Sequence, residues 1–123
     1  MSNRHNHLER LSAEHKRKRE SQERQLDKIM LQIRKQEEMQ DEYLTIVRRN
    51  LNLVDDVLCN NPSIIEAQYL HVNLQDEARL AATNFEFHDE ELKAERRSIE
   101  RKMDSEHEQY RLEYLRIKES SDG

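Results

Sequence analysis

Apolar residues recur at steps of three and four along most of the chain. They run through Leu8 and Leu11, then Leu26, Ile29, Ile33, Leu44, Val47, Leu51, Val54 and Leu58. A period of 3.6 residues keeps such positions on one face, so the pattern predicts a helix lying against a partner helix. Between Leu11 and Leu26 the seam positions fall on His15, Lys18 or Arg19, and Gln22, and Gln36 and Gln40 interrupt the seam again. Packing is expected to be loose there. A second series follows: Leu74, Ala78, Ala81, Phe85, Asp89, Leu92, Arg96, Ile99, Met103, His107, Tyr110, Tyr114 and Ile117. All but Asp89, Arg96 and His107 are apolar.

The two series are separated by Cys59-Asn60-Asn61-Pro62-Ser63-Ile64-Ile65-Glu66, which holds the only proline; the only glycine is Gly123. Pro62 lacks an amide donor and pushes Asn61 away from helical dihedrals, so an incoming helix should stop there. Ser63 followed by Glu66 reads as a capping box that starts the next helix. The expected domain is a single helical hairpin over residues 1–123. Helix 1 covers about 5–59, the turn 60–62, helix 2 about 63–118, and a polar tail at 119–123 frays. Folding about Asn61 would pair residues whose numbers sum to about 122, so that Leu58 meets Ile64 or Ile65, Leu51 meets Val72 and Leu44 meets Ala78. Ile29 would then meet Leu92, and Leu11 and Leu8 would meet Tyr110 and Tyr114. The fold class is all-α: a long antiparallel two-helix hairpin, a rod ~80 Å long at ~1.5 Å per residue, able to pair into a four-helix bundle.

Helix 1 carries a second apolar stripe, Met39, Ile46, Leu53 and Val57, and helix 2 a shorter one, Leu80 and Phe87. Each lies about a third of a turn from its seam at ~100° per residue, displaced in the same rotational sense. In an antiparallel pair, equal senses of rotation bring both stripes to one side. A two-helix hairpin cannot bury them against itself, so another chain should cover that side. These six residues are the candidate partner-binding set, with Ile46 and Phe87 as its anchors. A broad seam with partly exposed edges is the competing explanation.

Composition narrows the class. Charged residues make up 38% of the chain and aromatics 5%, with a mean hydropathy of −1.17. Such a chain builds a core one seam wide rather than a thick one. Residues 1–60 hold 12 basic and 11 acidic side chains and residues 61–123 hold 9 and 15, which predisposes the two helices to pair. A single cysteine excludes an internal disulfide and fits a reducing compartment. No signal-peptide core or transmembrane run is present. The expectation is a cytoplasmic protein, or one exported with its partner without a cleaved signal peptide.

No catalytic constellation is apparent, and the expectation is a non-enzyme without a cofactor. Histidines 5, 7 and 15 and the run His88-Asp89-Glu90-Glu91 lack metal-ligand spacing. The basic run Lys16-Arg17-Lys18-Arg19 has no stacking aromatics beside it, which argues against nucleic acid. Charge matching with Asp104, Glu106, Glu108 and Glu113 on the paired end of helix 2 accounts for it. A helical, self-associating coiled-coil adaptor is the alternative class, with nucleic-acid binding behind it.

A hairpin of two antiparallel helices on this scale resembles the small helical partners of the bacterial type VII secretion system. The WXG signature is absent, because Asn60-Asn61-Pro62-Ser63 occupies the turn. The C-terminal Tyr-x-x-x-Asp/Glu export motif is absent too: Tyr110 is followed by Tyr114, and Tyr114 by Lys118. Phe85 and Asp89 match a Phe-x-x-x-Asp variant, but mid-helix. More specifically, Gln36-Glu37-Glu38-Met39-Gln40-Asp41-Glu42-Tyr43 and the stretch from Phe87 through Tyr114 resemble the second type of LXG-associated α-helical protein. The resemblance rests on the core Glu-Leu-Lys-Ala-Glu-Arg-Arg-Ser-Ile-Glu within that second stretch. It implies binding to the N-terminal helical LXG domain of a toxin. Together with a sister small helical protein, the chain would present that toxin for export. Apart from the resemblance, the uncovered second stripe would let the isolated chain form a homodimer, and neither nucleic acid nor membrane insertion is expected.

Overall fold

The computed structural model describes residues 2–120. Two helices account for nearly all of them: α1 (Ser2–Asn60) and α2 (Ile65–Ser120). The chain packs as two compact units. A terminal unit joins Met1–Leu31 to Lys93–Gly123, and a turn unit spans Gln32–Leu92. In each, a piece of α1 lies antiparallel to a piece of α2. No helix among the described residues is long and apolar enough to cross a membrane.

α1 stops two residues ahead of Pro62. The Asn61 amide donates to the Val57 carbonyl at 2.9 Å, closing the last turn, and no described residue needs a positive φ to leave the helix. α2 starts later than the Ser63–Glu66 pattern suggests. The Ile64 carbonyl accepts the Gln68 amide at 3.2 Å, which makes Ile64 the N-cap. Ser63 is therefore one residue too early for a capping box with Glu66. In its place the Gln68 side chain donates to the Pro62 carbonyl at 2.6 Å and ties the turn to the helix. Proline explains the shift: its ring fixes the turn over 61–64, so the first helical carbonyl comes after it.

Helix lengths also exceed the expectation. α1 begins at Ser2 rather than near His5, with His5 and Glu9 paired at 3.1 Å across its early turns. Glu119 and Ser120 belong to α2, where the Ser120 hydroxyl donates to the Ile117 carbonyl at 3.1 Å. The rest of the tail expected to fray, 121–123, lies outside the described residues.

The seam on α1 follows the periodic pattern closely. Ile29, Ile33, Val47 and Val54 are buried, and the other apolar seam positions are half-buried. On α2 the seam begins earlier than expected, with Ile64, Ala67 and His71, and then follows Leu74, Ala78, Ala81, Phe85, Asp89 and Leu92. Arg96 is exposed instead of inward, and His107 is exposed too but still reaches His15 across the seam. Val72 is 52% exposed, so it does not meet Leu51.

The pairing register accounts for that last difference. Cross-helix pairs have residue numbers summing to between 122 and 128: His15 with His107 and Tyr110, Gln22 with Glu106, Tyr43 with Phe85, and Asp55 with His71. Their mean lies close to 126, not 122. The centre of the turn falls at Ser63 rather than at Asn61, and each residue of displacement moves the register by two. At a sum near 126, the seam residue nearest to level with Leu51 is Leu74, and with Leu44 it is Ala81.

Candidate partner-binding face

The six candidate residues all belong to the turn unit, and all lie off its seam. Exposure is 56% at Met39, 55% at Ile46, 59% at Leu53 and 45% at Val57; on α2 it is 65% at Leu80 and 61% at Phe87. Each follows from helix geometry. Ile46 and Leu53 precede buried Val47 and Val54 by one residue, and Leu80 precedes half-buried Ala81. A step of ~100° turns each away from the seam in the same sense. Filling in the three-four steps gives two lines. On α1 the line is Met39, Tyr43, Ile46, Asn50, Leu53 and Val57. On α2 it is Leu70, Asn73, Glu77, Leu80, Asn84, Phe87 and Glu91.

A surface groove of about 360 Å³ brings part of each line together, with Met39 the one candidate among its lining residues. Its α1 wall includes Met39 and Tyr43, and its α2 wall Asn84 and His88, with Ala81 and Phe85 at the floor. The Tyr43 and Phe85 rings pack beneath it with centroids 5.8 Å apart. Phe87 lies outside the lining, edge-on at 6.0 Å to His88, which belongs to it.

The α1 line carries no charge. The α2 line carries Glu77 and Glu91, and the next positions outward add Asp76, Glu86 and Glu90 against Arg79. His88 pairs with Glu91 at 3.7 Å when protonated. Across the turn unit there are five basic and thirteen acidic side chains, a net of −8.

The terminal unit is built differently. Its seam carries a polar layer in which the His15 ring stacks on Tyr110 (centroids 4.1 Å, planes 4° apart). His15 Nε2 lies 3.2 Å from His107 Nδ1. Two turns further along α1, Gln22 Nε2 donates to Glu106 Oε2 at 2.6 Å. Partial burial, with His107 and Arg19 close by, lowers the His15 pKa from its ordinary 6.5, against the opposing pull of Glu106.

The charge matching expected across the helices at this end is mostly made along them. Arg19 pairs with Glu23, Arg111 with Glu108 and Arg116 with Glu113. The Arg111 guanidinium bonded to Glu108 holds that carboxyl below its usual range, and Glu113 raises Arg116. Neighbours three or four residues apart on one helix are already at bonding distance, so they capture these charges first. A groove of about 490 Å³ opens beside the layer between Leu11, Lys18, Tyr110 and Glu113.

Among the described residues, no group of three or more His, Cys, Asp or Glu side chains is placed to hold a metal. Cys59 is free and exposed beside the turn. Sequence periodicity pointed to the exposed stripe but missed Tyr43 and the acidic α2 edge. Both become visible only when the three-four line is extended through polar positions. No protein family, curated protein or solved structure matches this chain.

Proposed function

We propose that this chain is a non-enzymatic protein-binding partner that uses the apolar side of its turn unit to hold a helical segment of another protein. The observation that carries this reading is the pair of exposed apolar lines on one side of the hairpin. Six large apolar residues lie at 45–65% exposure, and one of them, Met39, lines a groove between the helices. Surfaces of that kind mark interaction sites in otherwise polar proteins. An extended groove between two helices suits helix-in-groove recognition, in which a few anchors carry most of the energy.

The partner that the sequence resemblance suggests is the N-terminal helical LXG domain of a toxin. In this reading the chain, with a sister small helical protein, acts as a targeting factor and chaperone for type VII export. Coexpression of the tagged chain with an LXG toxin encoded beside it tests this. A stoichiometric complex that survives size exclusion is the expected result. A chain that elutes only as a self-oligomer beside free toxin would establish the coiled-coil adaptor reading instead.

A further inference from the structure

We infer that the turn unit's apolar side takes a basic amphipathic helix, one that lays an apolar stripe along Met39, Ile46, Leu53, Leu80 and Phe87 and sets Lys or Arg over the acidic α2 edge. This deepens the partner-binding reading and rests on it for the occupant being protein. The charge distribution selects the occupant. The α1 line offers no charge, while on the α2 side Glu77, Glu91, Asp76, Glu86 and Glu90 outnumber a single basic residue, Arg79.

A second copy fits poorly. Face-to-face pairing of turn units sets a net −8 against −8, and like charges held together across an interface oppose association. The terminal unit of a second copy carries sixteen basic and thirteen acidic side chains, which suits the charge. Its exposed large apolar residues, however, are confined to Met30, Leu31, Leu112 and Leu115 among the described residues. It has no continuous apolar stripe to lay in the groove. A helix with apolar residues at three-four spacing and cationic flanks satisfies both requirements together.

The test uses the full-length chain and two fluorescently labelled synthetic helical peptides. Both carry one identical Leu/Ile stripe, flanked by Lys and Arg in one and by Glu in the other. Fluorescence anisotropy should show the basic peptide binding at least ~10-fold tighter than the acidic one at low salt, with the gap closing as screening shortens the reach of the acidic edge. A Glu77→Gln, Glu91→Gln double variant should lose most of that preference while keeping apolar binding. Phe87→Ala should weaken both peptides by ~10-fold, at the lower end of hot-spot sizes, with its thermal melt unchanged.

Equal binding of the two peptides, binding of neither, or indifference to Phe87→Ala overturns the inference. So does sedimentation of the free chain as a dimer that Ile46→Asp dissociates, which would make a second copy the occupant. A chain that prefers the basic peptide yet captures no LXG toxin leaves this inference standing and overturns the toxin reading. A toxin complex indifferent to Phe87→Ala does the opposite.

Discussion

The turn unit and the terminal unit share the same two helices yet solve the packing problem differently. Of the five buried apolar side chains, Ile33, Val47, Val54 and Ala67 belong to the turn unit and only Ile29 to the terminal one. The turn unit also carries ten of the fourteen exposed large apolar residues among those described. It has the better seam and the larger uncovered surface, together with a net charge of −8. The terminal unit, at +3, spends seam positions on His15, Gln22 and Glu106, and covers itself with ion pairs along each helix. Holding the hairpin together and offering a surface to a partner are both concentrated near the turn.

Charging the seam should break this contrast most severely. Val54→Asp places an unpaired carboxylate at a site only 7% exposed and should cost ~3–5 kcal/mol, enough to unfold a hairpin with one seam. The same change at half-buried Leu8, where water already reaches, should cost ~1 kcal/mol. Urea melts followed by circular dichroism read both. Equal losses would mean that the two units contribute alike to stability.

A smaller effect separates the seam from the stripe within the turn unit. Phe85 is half-buried against Tyr43, and Phe87 is 61% exposed. Phe85→Ala should destabilise the chain by ~2 kcal/mol, whereas Phe87→Ala should stay within ~0.5 kcal/mol. If Phe87→Ala melts the fold as readily as Phe85→Ala, the stripe is part of the core. Without any mutation, backbone amides over residues 8–22 should exchange hydrogen ~10-fold faster than those over 44–58, since opening the polar layer exposes less apolar surface.

How much of this was legible in the sequence depended on whether a feature is local to one helix. Seam positions such as Ile33, Val47 and Val54, and the exposure of Ile46, Leu53, Leu80 and Phe87, follow from period alone. Features that need the partner helix did not. A single-residue error in placing the turn centre moves every cross-helix pair by two residues, so Val72 was set against Leu51 although it faces water. The contacts of His15 with Tyr110, Gln22 with Glu106 and Asp55 with His71 depend on that register. Arg96 is exposed and bonds Glu100 along its own helix, whereas His107, though exposed, keeps its ring against His15. The capping box failed because Ser63 follows Pro62 inside the turn, a position where its hydroxyl precedes the first helical carbonyl by one residue.

The polar layer gives the smallest and most specific effect. Folding lowers the His15 pKa from 6.5, first through partial burial and then through the nearness of His107, Arg19 and Lys18, with Glu106 pulling the other way. Glu14 on α1, and Tyr110, Glu113 and Arg116 on α2, complete the groove around it. The unfolded chain, with its ordinary histidine, therefore binds the proton more readily than the folded one. The resulting stabilisation is complete above pH 6.5 and is lost as pH falls below that value. Replacing His15 with Phe keeps a flat ring against Tyr110 and removes the titration. The melting temperature of the natural chain should hold steady from about pH 8 to 7 and drop between about pH 6.5 and 5.5, the range of an ordinary histidine. In His15→Phe the drop should be shallower, and the melting temperature at pH 7 should be equal or higher. If both proteins lose stability in parallel over that range, the acid sensitivity belongs to another histidine and the His15 layer is inert to protons.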